Sequence, residues 1–284
     1  MKVIGVLDMS PAELDEVSSY DPTDEKPLLR LSKSSLMNYR LCPRQYWWAR
    51  IQLKDMRLPA TPAMIRGSKV HDGLENLYEN WDGQHHLLTL LPDDDRAFAP
   101  LADLEQQRLE NWGIEHFAPD SFEEKMVVYD PDNEVVLVGK IDGVLVHPEG
   151  GLCLLELKTG KMNDSKLRRT RFELFFYEYL LKLNGETRPI THFAYLSPDC
   201  EDAAFVTKVM NQRGKEVLLG EETGVLIIEK VNNRSRTAFE KGFLETIDGI
   251  KNHEWPMKWN DYFCPQWCDF HLSCEAEITG IEEW

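Results

Sequence analysis

The chain has 284 residues, of which 42% are hydrophobic and 29% are charged, and both shares are ordinary for a soluble globular protein. No apolar run approaches the length of a membrane span, and the amino terminus lacks the basic start and long apolar core of a signal peptide. We therefore expect a cytoplasmic protein, and the net charge of -17 argues against a surface that is basic throughout.

The first part of the chain predicts an arm followed by a broken helix. Residues 1–29 are acidic, contain three prolines and show little periodic pattern, which predicts a mobile arm or a lid. After it, Ser32 or Ser34 can cap a helix, because a serine oxygen accepts from backbone N–H groups in the first turn. Pro43 then breaks or kinks that helix.

Residues 63–81 have the apolar spacing of an amphipathic helix. His71 and Glu75 are one turn apart on it, so both side chains project from one side. A single histidine on a helix is usually structural or exposed, but a histidine beside a carboxylate site can ligate a metal. Residues 100–117 predict a further helix, with Pro100 tolerated in its first turn.

The centre of the chain predicts strands that carry charged residues. Residues 123–129 and 134–146 alternate as strands, and the continuous apolar run that follows is typical of a strand buried on both faces. Glu156 and Lys158 end that strand on one face, and Asp142 on the neighbouring strand can reach the same point. Two carboxylates and an ammonium together favour a hard-cation site. The alternative is a salt bridge at a sheet edge.

The rest of the chain continues the alternation of helices and strands. Residues 165–183 predict a strong amphipathic helix, on which Glu173 and Tyr177 are one turn apart. Residues 190–196 and 203–210 predict strands, and residues 232–251 predict a helix. The pattern as a whole indicates an α/β protein.

Basic residues are concentrated in two islands. Residues 30–57 hold seven Lys or Arg against one acid, and residues 160–171 hold five against one. Two basic islands on an acidic chain suit a protein that holds nucleic acid in one groove. Two solvated helix faces are the alternative.

Three of the six cysteines are clustered near the carboxyl end: Cys264, Cys268 and Cys274. Disulfides are not expected in a chain without an export signal, so the cluster indicates metal ligation. A tetrahedral or cubane site needs a fourth ligand, for which Cys42 is the candidate. Cys153 lies in the predicted core strand, where it acts as a small apolar residue.

Four features now stand in order along the chain. They are residues 34–46 with the first cysteine, residues 67–71 followed by Glu75, residues 139–143 followed by residues 156–160, and the carboxyl-terminal cysteine trio. In this order they resemble the PD-(D/E)XK nuclease superfamily, specifically the RecB-like nucleases with an iron–sulfur cluster. That group includes the CRISPR-associated adaptation exonuclease, the AddB nuclease domain and phage exonucleases. The resemblance covers roughly residues 31–276.

The resemblance implies a restriction-endonuclease-like core with a mixed central β-sheet flanked by helices. It also implies a helical iron–sulfur subdomain that joins the amino- and carboxyl-terminal segments. After an arm at residues 1–29, residues 30–284 would form a single RecB-like nuclease domain. Within it, residues 30–60 and 255–276 would form the cluster region, and residues 61–200 the catalytic core.

The resemblance also implies roles for the residues of the core. His71, Asp142 and Glu156, with the main-chain carbonyl of Leu157, would bind one or two Mg²⁺ or Mn²⁺ ions. Lys158 would orient the attacking water or neutralise charge in the transition state.

Outside the metal site, Tyr177 would contact the DNA backbone or the lysine. The cysteines would hold a structural [4Fe-4S] cluster, namely Cys42, Cys264, Cys268 and Cys274.

Two positions depart from the family pattern. The family usually has Gln-x-x-x-Tyr on the helix after the core, whereas this chain has Glu173 before Tyr177. An ionised Glu accepts hydrogen bonds but cannot donate one as an amide does. The first gap in the cysteine trio has three residues where two are commoner, which leaves zinc as an alternative to the cluster.

From the resemblance we expect a metal-dependent exonuclease that hydrolyses single-stranded DNA, 5′ to 3′ by analogy. It would act in recombination, repair, replication or spacer acquisition, with single-stranded DNA and a recombination or CRISPR-adaptation protein as partners, in a prokaryotic or phage-infected cell. The alternatives are a structure-specific flap endonuclease and a non-catalytic DNA-binding adaptor subunit. The intact set of Asp142, Glu156 and Lys158 favours catalysis.

Overall fold

The computed structural model describes residues 9–26, 28–55, 60–91, 98–159, 162–198, 206–210, 216–220 and 224–280. The helices are α1 Pro11–Val17, α2 Lys33–Leu41, α3 Pro43–Trp47, α4 Pro62–Asn80, α5 Ala99–Trp112, α6 Asp164–Leu183, α7 Asn233–Lys251, α8 Phe263–Trp267 and α9 His271–Thr279. The strands are β1 Ser18–Ser19, β2 Leu28–Ser32, β3 Ser121–Asp130, β4 Val135–Val146, β5 Leu152–Leu157, β6 Ile190–Pro198, β7 Val206–Met210, β8 Glu216–Gly220 and β9 Gly224–Lys230. None of the helices in the described part of the chain combines the length and hydropathy of a bilayer-spanning segment.

The chain divides into two compact units. The first comprises Met1–Leu58, Met126–Gly139 and Ala238–Trp284, and the second comprises Pro59–Lys125 and Lys140–Thr237. The strand β4 runs through the boundary, so its first residues count with the first unit and the others with the second. The division into an arm and a single nuclease domain stays a prediction.

In the first unit, β2 pairs in parallel with β1 and with the start of β4. The helix α1 precedes β1, in a segment where we predicted little regular structure. Its start has a capping box, in which the side chains of Ser10 and Glu13 each accept from the other's backbone N–H. Leu14 is buried from the same helix. This acidic, proline-containing segment therefore forms a helix because a capping box and one buried apolar side chain stabilise it together.

The helix α2 is held against the carboxyl-terminal part of the first unit. Tyr39 Oη donates to the carbonyl of Glu254 at 2.9 Å, and Arg40 donates to the carbonyl of Gly242 at 2.9 Å. A Cβ at Gly249 would collide with the Tyr39 hydroxyl, so only glycine permits this approach. The helix ends at Leu41, before Pro43 starts α3, as predicted from the proline.

In the second unit the strands follow the order β4, β5, β6, β9, β8, β7. The pair β5 and β6 is parallel and the other neighbours are antiparallel, so the sheet is mixed. The predicted α/β fold, with a mixed central sheet flanked by helices, is confirmed. It is consistent with a restriction-endonuclease-like core.

Helices cover both faces of β5. Cys153, Leu155 and Leu157 pack in one apolar cluster with side chains of α4 and α5. Because side chains alternate along a strand, Glu156 points to the opposite face. On α6, Phe175 contacts Phe193 of β6 with ring centroids 4.8 Å apart.

The helix α5 ends earlier than the sequence pattern predicted. We expected it to reach residue 117, but it ends at Trp112. Gly113 follows with φ +83°, a conformation that ends a helix and that glycine adopts without strain. The predicted strands 123–129, 134–146 and 190–196 are confirmed, with ends displaced by at most two residues. Of the segment predicted as strand 203–210, residues 203–205 lie outside the described residues, and β7 accounts for the remainder.

Candidate active site

A histidine and two carboxylates from three elements meet in the second unit. His71 lies on α4, Glu123 near the start of β3, and Asp142 on β4. His71 Nδ1 is 2.8 Å from Glu123 Oε1 and 3.6 Å from Asp142 Oδ1. One ligand atom from each of the three residues lies within 4.8 Å of the others. A nitrogen and two carboxylate oxygens at this spacing are suited to bind a divalent cation.

Asp142 links this group to the end of β5. Its Oδ2 accepts a hydrogen bond of 2.7 Å from the backbone N–H of Leu157, while its Oδ1 faces His71. The aspartate is 6% exposed, so this contact fixes a nearly buried carboxylate. The contact between Leu157 and Asp142 thus uses the backbone N–H of Leu157.

Lys158 lies between two carboxylates. Its Nζ is 2.6 Å from Glu156 Oε1 and 2.7 Å from Glu173 Oε2. Glu156 is 1% exposed and Glu173 is 4% exposed, so the ammonium compensates two charges that are almost fully buried. On α6, Arg169 Nε is 3.6 Å from the other oxygen of Glu173. The contact between Glu156 and Lys158 agrees with their place on one face of the strand, and the convergence of both with Asp142 stays a prediction.

Tyr177 is directed to the main chain of β4. We expected its hydroxyl to contact the DNA backbone or Lys158. It donates to the carbonyl of Lys140 at 2.6 Å, and the residue is 1% exposed, while a contact with DNA stays a prediction. Burial raises the pKa of this hydroxyl well above its usual value. Because Lys140 precedes Asp142 by two residues, the contact positions the strand that carries the aspartate.

The charges around His71 create a negative potential. Burial disfavours the imidazolium, but the hydrogen bond to Glu123 and the charges of Asp142, Glu123 and Glu156 outweigh it and raise the pKa of His71. For Glu123, burial acts against ionisation, and contacts with His71 and Lys140 nevertheless lower its pKa. A group of carboxylates that favours a protonated imidazole also favours a metal cation at the same position.

The four predicted cysteine ligands line one cavity in the first unit. Cys42, Cys264, Cys268 and Cys274 contribute to the wall of a cavity of about 300 Å³. Two backbone N–H groups donate to its sulfurs, from Lys258 to Cys42 at 3.4 Å and from Asn260 to Cys264 at 3.3 Å. Such donors stabilise thiolate ligands.

The thiols of this cavity affect one another. Burial, with the neighbouring Cys264 and Cys42, raises the pKa of Cys268. Burial likewise raises the pKa of Cys274 to about 11, and the charges of Cys268 and Cys42 act in the same direction. Several thiolates in one buried place therefore require a bound cation to ionise together.

A family model of the PD-(D/E)XK nuclease superfamily matches residues 30–275. The chain belongs to this superfamily. Among solved structures, 25 chains match, and one of them is described as "Crystal structure of SSO0001". It is 13% identical, with a TM-score of 0.45, and the match covers 87% of this chain and 86% of that chain. No curated protein matches the chain.

Membership of the PD-(D/E)XK superfamily identifies the chain as a nuclease-type hydrolase that acts on nucleic acid with a divalent metal such as Mg²⁺ or Mn²⁺. In these terms the group around Asp142 is the candidate metal site. The prediction from sequence omitted one of its members, Glu123. The signal available was its position near the start of a strand beside Asp142, but Glu124 follows it directly and offers the same chemistry.

The second basic island is partly neutralised within its own unit. Arg171 forms a bidentate ion pair with Glu229, in which its Nε donates to Oε1 at 2.5 Å and its Nη2 donates to Oε2 at 2.8 Å. Lys166 Nζ donates to the carbonyl of Thr159 at 2.8 Å. Arg168 and Arg169 are exposed on α6, and Lys161 lies outside the described residues. Of the described cations in this island, these two arginines are the exposed candidates for contact with a phosphate backbone.

Proposed function

We propose that the chain is a metal-dependent exonuclease that hydrolyses single-stranded DNA. The observation that carries the proposal is that His71 approaches Asp142 while Lys158 contacts Glu156 in the same unit, since a metal-binding group and a cation together serve phosphodiester hydrolysis. All four of these residues belong to the second unit.

The donor set fits a hard divalent cation. Carboxylate oxygens and a histidine nitrogen are the ligands available, and the side chains that carry them are at least two-thirds buried. His71, Asp142 and Glu156, with the carbonyl of Leu157, would hold Mg²⁺ or Mn²⁺. When bound, the cation supplies a lowered pKa for a water molecule and neutralises charge on the phosphate.

The side chains supply orientation and charge. Lys158 is held at the site by Glu156, and its ammonium is suited to stabilise the negative charge that develops on the phosphate oxygens. Asp142 is fixed by the Leu157 amide, and Tyr177 fixes the strand beneath it. Tyr177 is therefore a positioning residue in this proposal. Glu173 contacts Lys158 and tunes its charge.

The cysteine cavity supports a structural [4Fe-4S] cluster. All four cysteines line one cavity, as a cluster held by four thiolates requires. Hydrolysis needs no redox chemistry, so the cluster would staple Cys42 to the distant segment with Cys264, Cys268 and Cys274.

The finer attributes come from the resemblance to RecB-like iron–sulfur nucleases. They are the need for a free end, the preference for single strands, the 5′-to-3′ direction and a role in recombination, repair, replication or spacer acquisition. The two exposed arginines on α6 support a DNA backbone beside the site. A recombination or CRISPR-adaptation protein is the corresponding partner.

The contact between Glu173 and Lys158 favours one alternative, a DNA-binding adaptor without catalysis. A lysine neutralised by two carboxylates is less able to stabilise a third anion. The intact group of His71, Asp142 and Glu156 argues for catalysis.

The deciding experiment incubates the purified chain with single-stranded DNA labelled at its 5′ or its 3′ end, in Mn²⁺, Mg²⁺ or chelator. We expect metal-dependent short products, and the labelled end gives the polarity. Lys158→Ala, Asp142→Ala and Glu156→Ala should each abolish cleavage. Lys230→Ala is the matched control, because this lysine is 70% exposed and pairs only with the exposed Glu149 in the contacts described.

Two results would redirect the assignment. Cutting of closed single-stranded circles would establish an endonuclease, since a circle offers no end. Tight DNA binding without cleavage in any metal would establish an adaptor. Substantial cleavage by all three alanine variants would contradict the assignment of the site.

A further inference from the structure

Glu123 occupies a position that the family motifs do not include. It lies near the start of β3, its side chain is 10% exposed, and its backbone has φ +51°. A positive φ is uncommon for any residue other than glycine, and such strained positions cluster at functional sites. Turns and helix ends are where such a backbone conformation is usual, and Glu123 lies in neither.

The contacts of Glu123 aim its carboxylate at the candidate metal site. Its Oε1 is 2.8 Å from His71 Nδ1, and its other oxygen pairs with Lys140. Asp142 Oδ1 approaches the same histidine nitrogen at 3.6 Å. Two carboxylates from neighbouring strands therefore face one nitrogen of His71, and a cation bound there would reduce the repulsion between them.

Glu156, the other predicted carboxylate, is held by Lys158 through one of its oxygens. Glu156 Oε1 is 2.6 Å from Lys158 Nζ, and the group of ligand atoms that lie mutually within 4.8 Å contains His71, Glu123 and Asp142. Asp142 contacts both β5 and α4, since its Oδ2 accepts from the backbone of β5 and its Oδ1 faces His71 on α4. The geometry thus makes Glu123 the nearest acidic neighbour of the His71–Asp142 pair.

We propose that Glu123 is a ligand of the divalent cation, together with His71 and Asp142. This inference rests on the proposed function in so far as that cation is the one used in hydrolysis. Lys140, whose side chain is 58% exposed, competes for Glu123 and would turn to solvent when the cation binds. Glu123 would then add a further carboxylate to the ligands proposed above.

The test measures binding of Mn²⁺ to the full chain by the electron paramagnetic resonance signal of the free ion. Glu123→Gln keeps the size of the side chain and removes its charge. It should weaken Mn²⁺ binding about 10-fold or more, the effect typical of a lost ligand or its close support. Glu124→Gln, the same change at the exposed neighbouring position, should leave the affinity as in the wild type. Thermal unfolding in chelator verifies that each variant is folded.

A second pair of variants separates a ligand from a structural ion pair. Lys140→Gln should tighten Mn²⁺ binding about threefold in the wild-type background, because it frees Glu123, and should have no such effect in Glu123→Gln. Equal Mn²⁺ affinity in Glu123→Gln and the wild type would overturn the inference, as would absence of Mn²⁺ binding by the wild type. Glu123-dependent Mn²⁺ binding without DNA cleavage would uphold it and overturn the proposed nuclease function instead.

Discussion

The ammonium of Lys158 lies 2.7 Å from the carboxylate of Glu173, on the helix that follows the candidate active site. The same ammonium lies 2.6 Å from Glu156, so one positive charge serves two buried negative ones. In the RecB-like nucleases that the sequence resembles, a neutral glutamine usually occupies the position of Glu173. The exchange of an amide for a carboxylate therefore changes the charge of the site while it keeps an acceptor for the lysine.

We expect Glu173→Gln to increase DNA cleavage. The amide oxygen can still accept from Lys158, but the ammonium is neutralised by one carboxylate instead of two and stabilises a phosphate better. An increase of about three- to tenfold in rate corresponds to about 0.7–1.4 kcal/mol in the barrier. The measurement is the initial rate on end-labelled single-stranded DNA with Mn²⁺. Glu173→Ala, which removes the acceptor as well, should be slower than Glu173→Gln. A lower rate in Glu173→Gln than in the wild type would mean that the reaction uses this negative charge.

The contact between Glu156 and Lys158 was predictable, because strand alternation places residues two apart on one face. The partner of Glu173 was predictable only in part, since helical spacing gives the face of α6 but not which strand it covers. The hydrogen bond of Tyr177 was not predicted, because its partner is a main-chain carbonyl and every residue carries one. A sequence pattern holds no signal for such a contact.

Glu123 was missed for a different reason. In Glu123-Glu124 either residue could face the site, and alternation alone cannot choose between them. The choice depends on the left-handed backbone at Glu123, which breaks the regular alternation of the strand. The helix α1 did carry a readable signal, because Ser10 and Glu13 have the spacing of a capping box. Its prolines and acidic residues favoured an irregular arm more strongly.

The cysteine cavity predicts a specific metal content. Purified under anaerobic conditions, the wild type should contain about four iron atoms and acid-labile sulfide in equal amount, as a [4Fe-4S] cluster requires. Cys268→Ala should lose most of this iron and unfold at a lower temperature. Cys153→Ala is the control, since Cys153 is buried in β5 and burial raises the pKa of its thiol, as for a core residue. About one zinc per chain in place of iron would establish the zinc alternative.

The buried pair of Glu105 and Arg108 predicts a large non-additive effect on stability. Both side chains are 0% exposed, and Arg108 donates to Glu105 at 2.7 Å and to the carbonyl of Phe117 at 2.8 Å. Arg108→Met leaves an uncompensated buried carboxylate and should lower the free energy of unfolding by about 3–5 kcal/mol. Chemical denaturation followed by circular dichroism measures this change.

The double variant distinguishes charge from packing at the same site. Arg108→Met combined with Glu105→Leu replaces both charges by apolar groups of similar size, so it should be more stable than Arg108→Met alone. If the double variant instead loses as much free energy of unfolding as Arg108→Met and Glu105→Leu lose together, the pair contributes through packing and not through its charges.

His192 predicts a dependence of stability on pH. The residue is 6% exposed, its ring stacks on His147 with centroids 3.5 Å apart, and burial with the neighbouring His147 lowers its pKa to about 4. An unfolded chain has a histidine pKa of about 6.5, so between these values the unfolded state binds more protons than the folded state. Stability therefore falls as the pH falls from 6.5 towards 4, and we expect a loss of about 1–2 kcal/mol at pH 5 relative to pH 7.

His192→Phe keeps a stacked ring without a titrating nitrogen and should lose most of this pH dependence in urea unfolding measured at the two pH values. His253→Asn, at an exposed position with positive φ that asparagine tolerates, should retain the wild-type dependence. The same decrease in His192→Phe as in the wild type would assign the pH dependence to other groups.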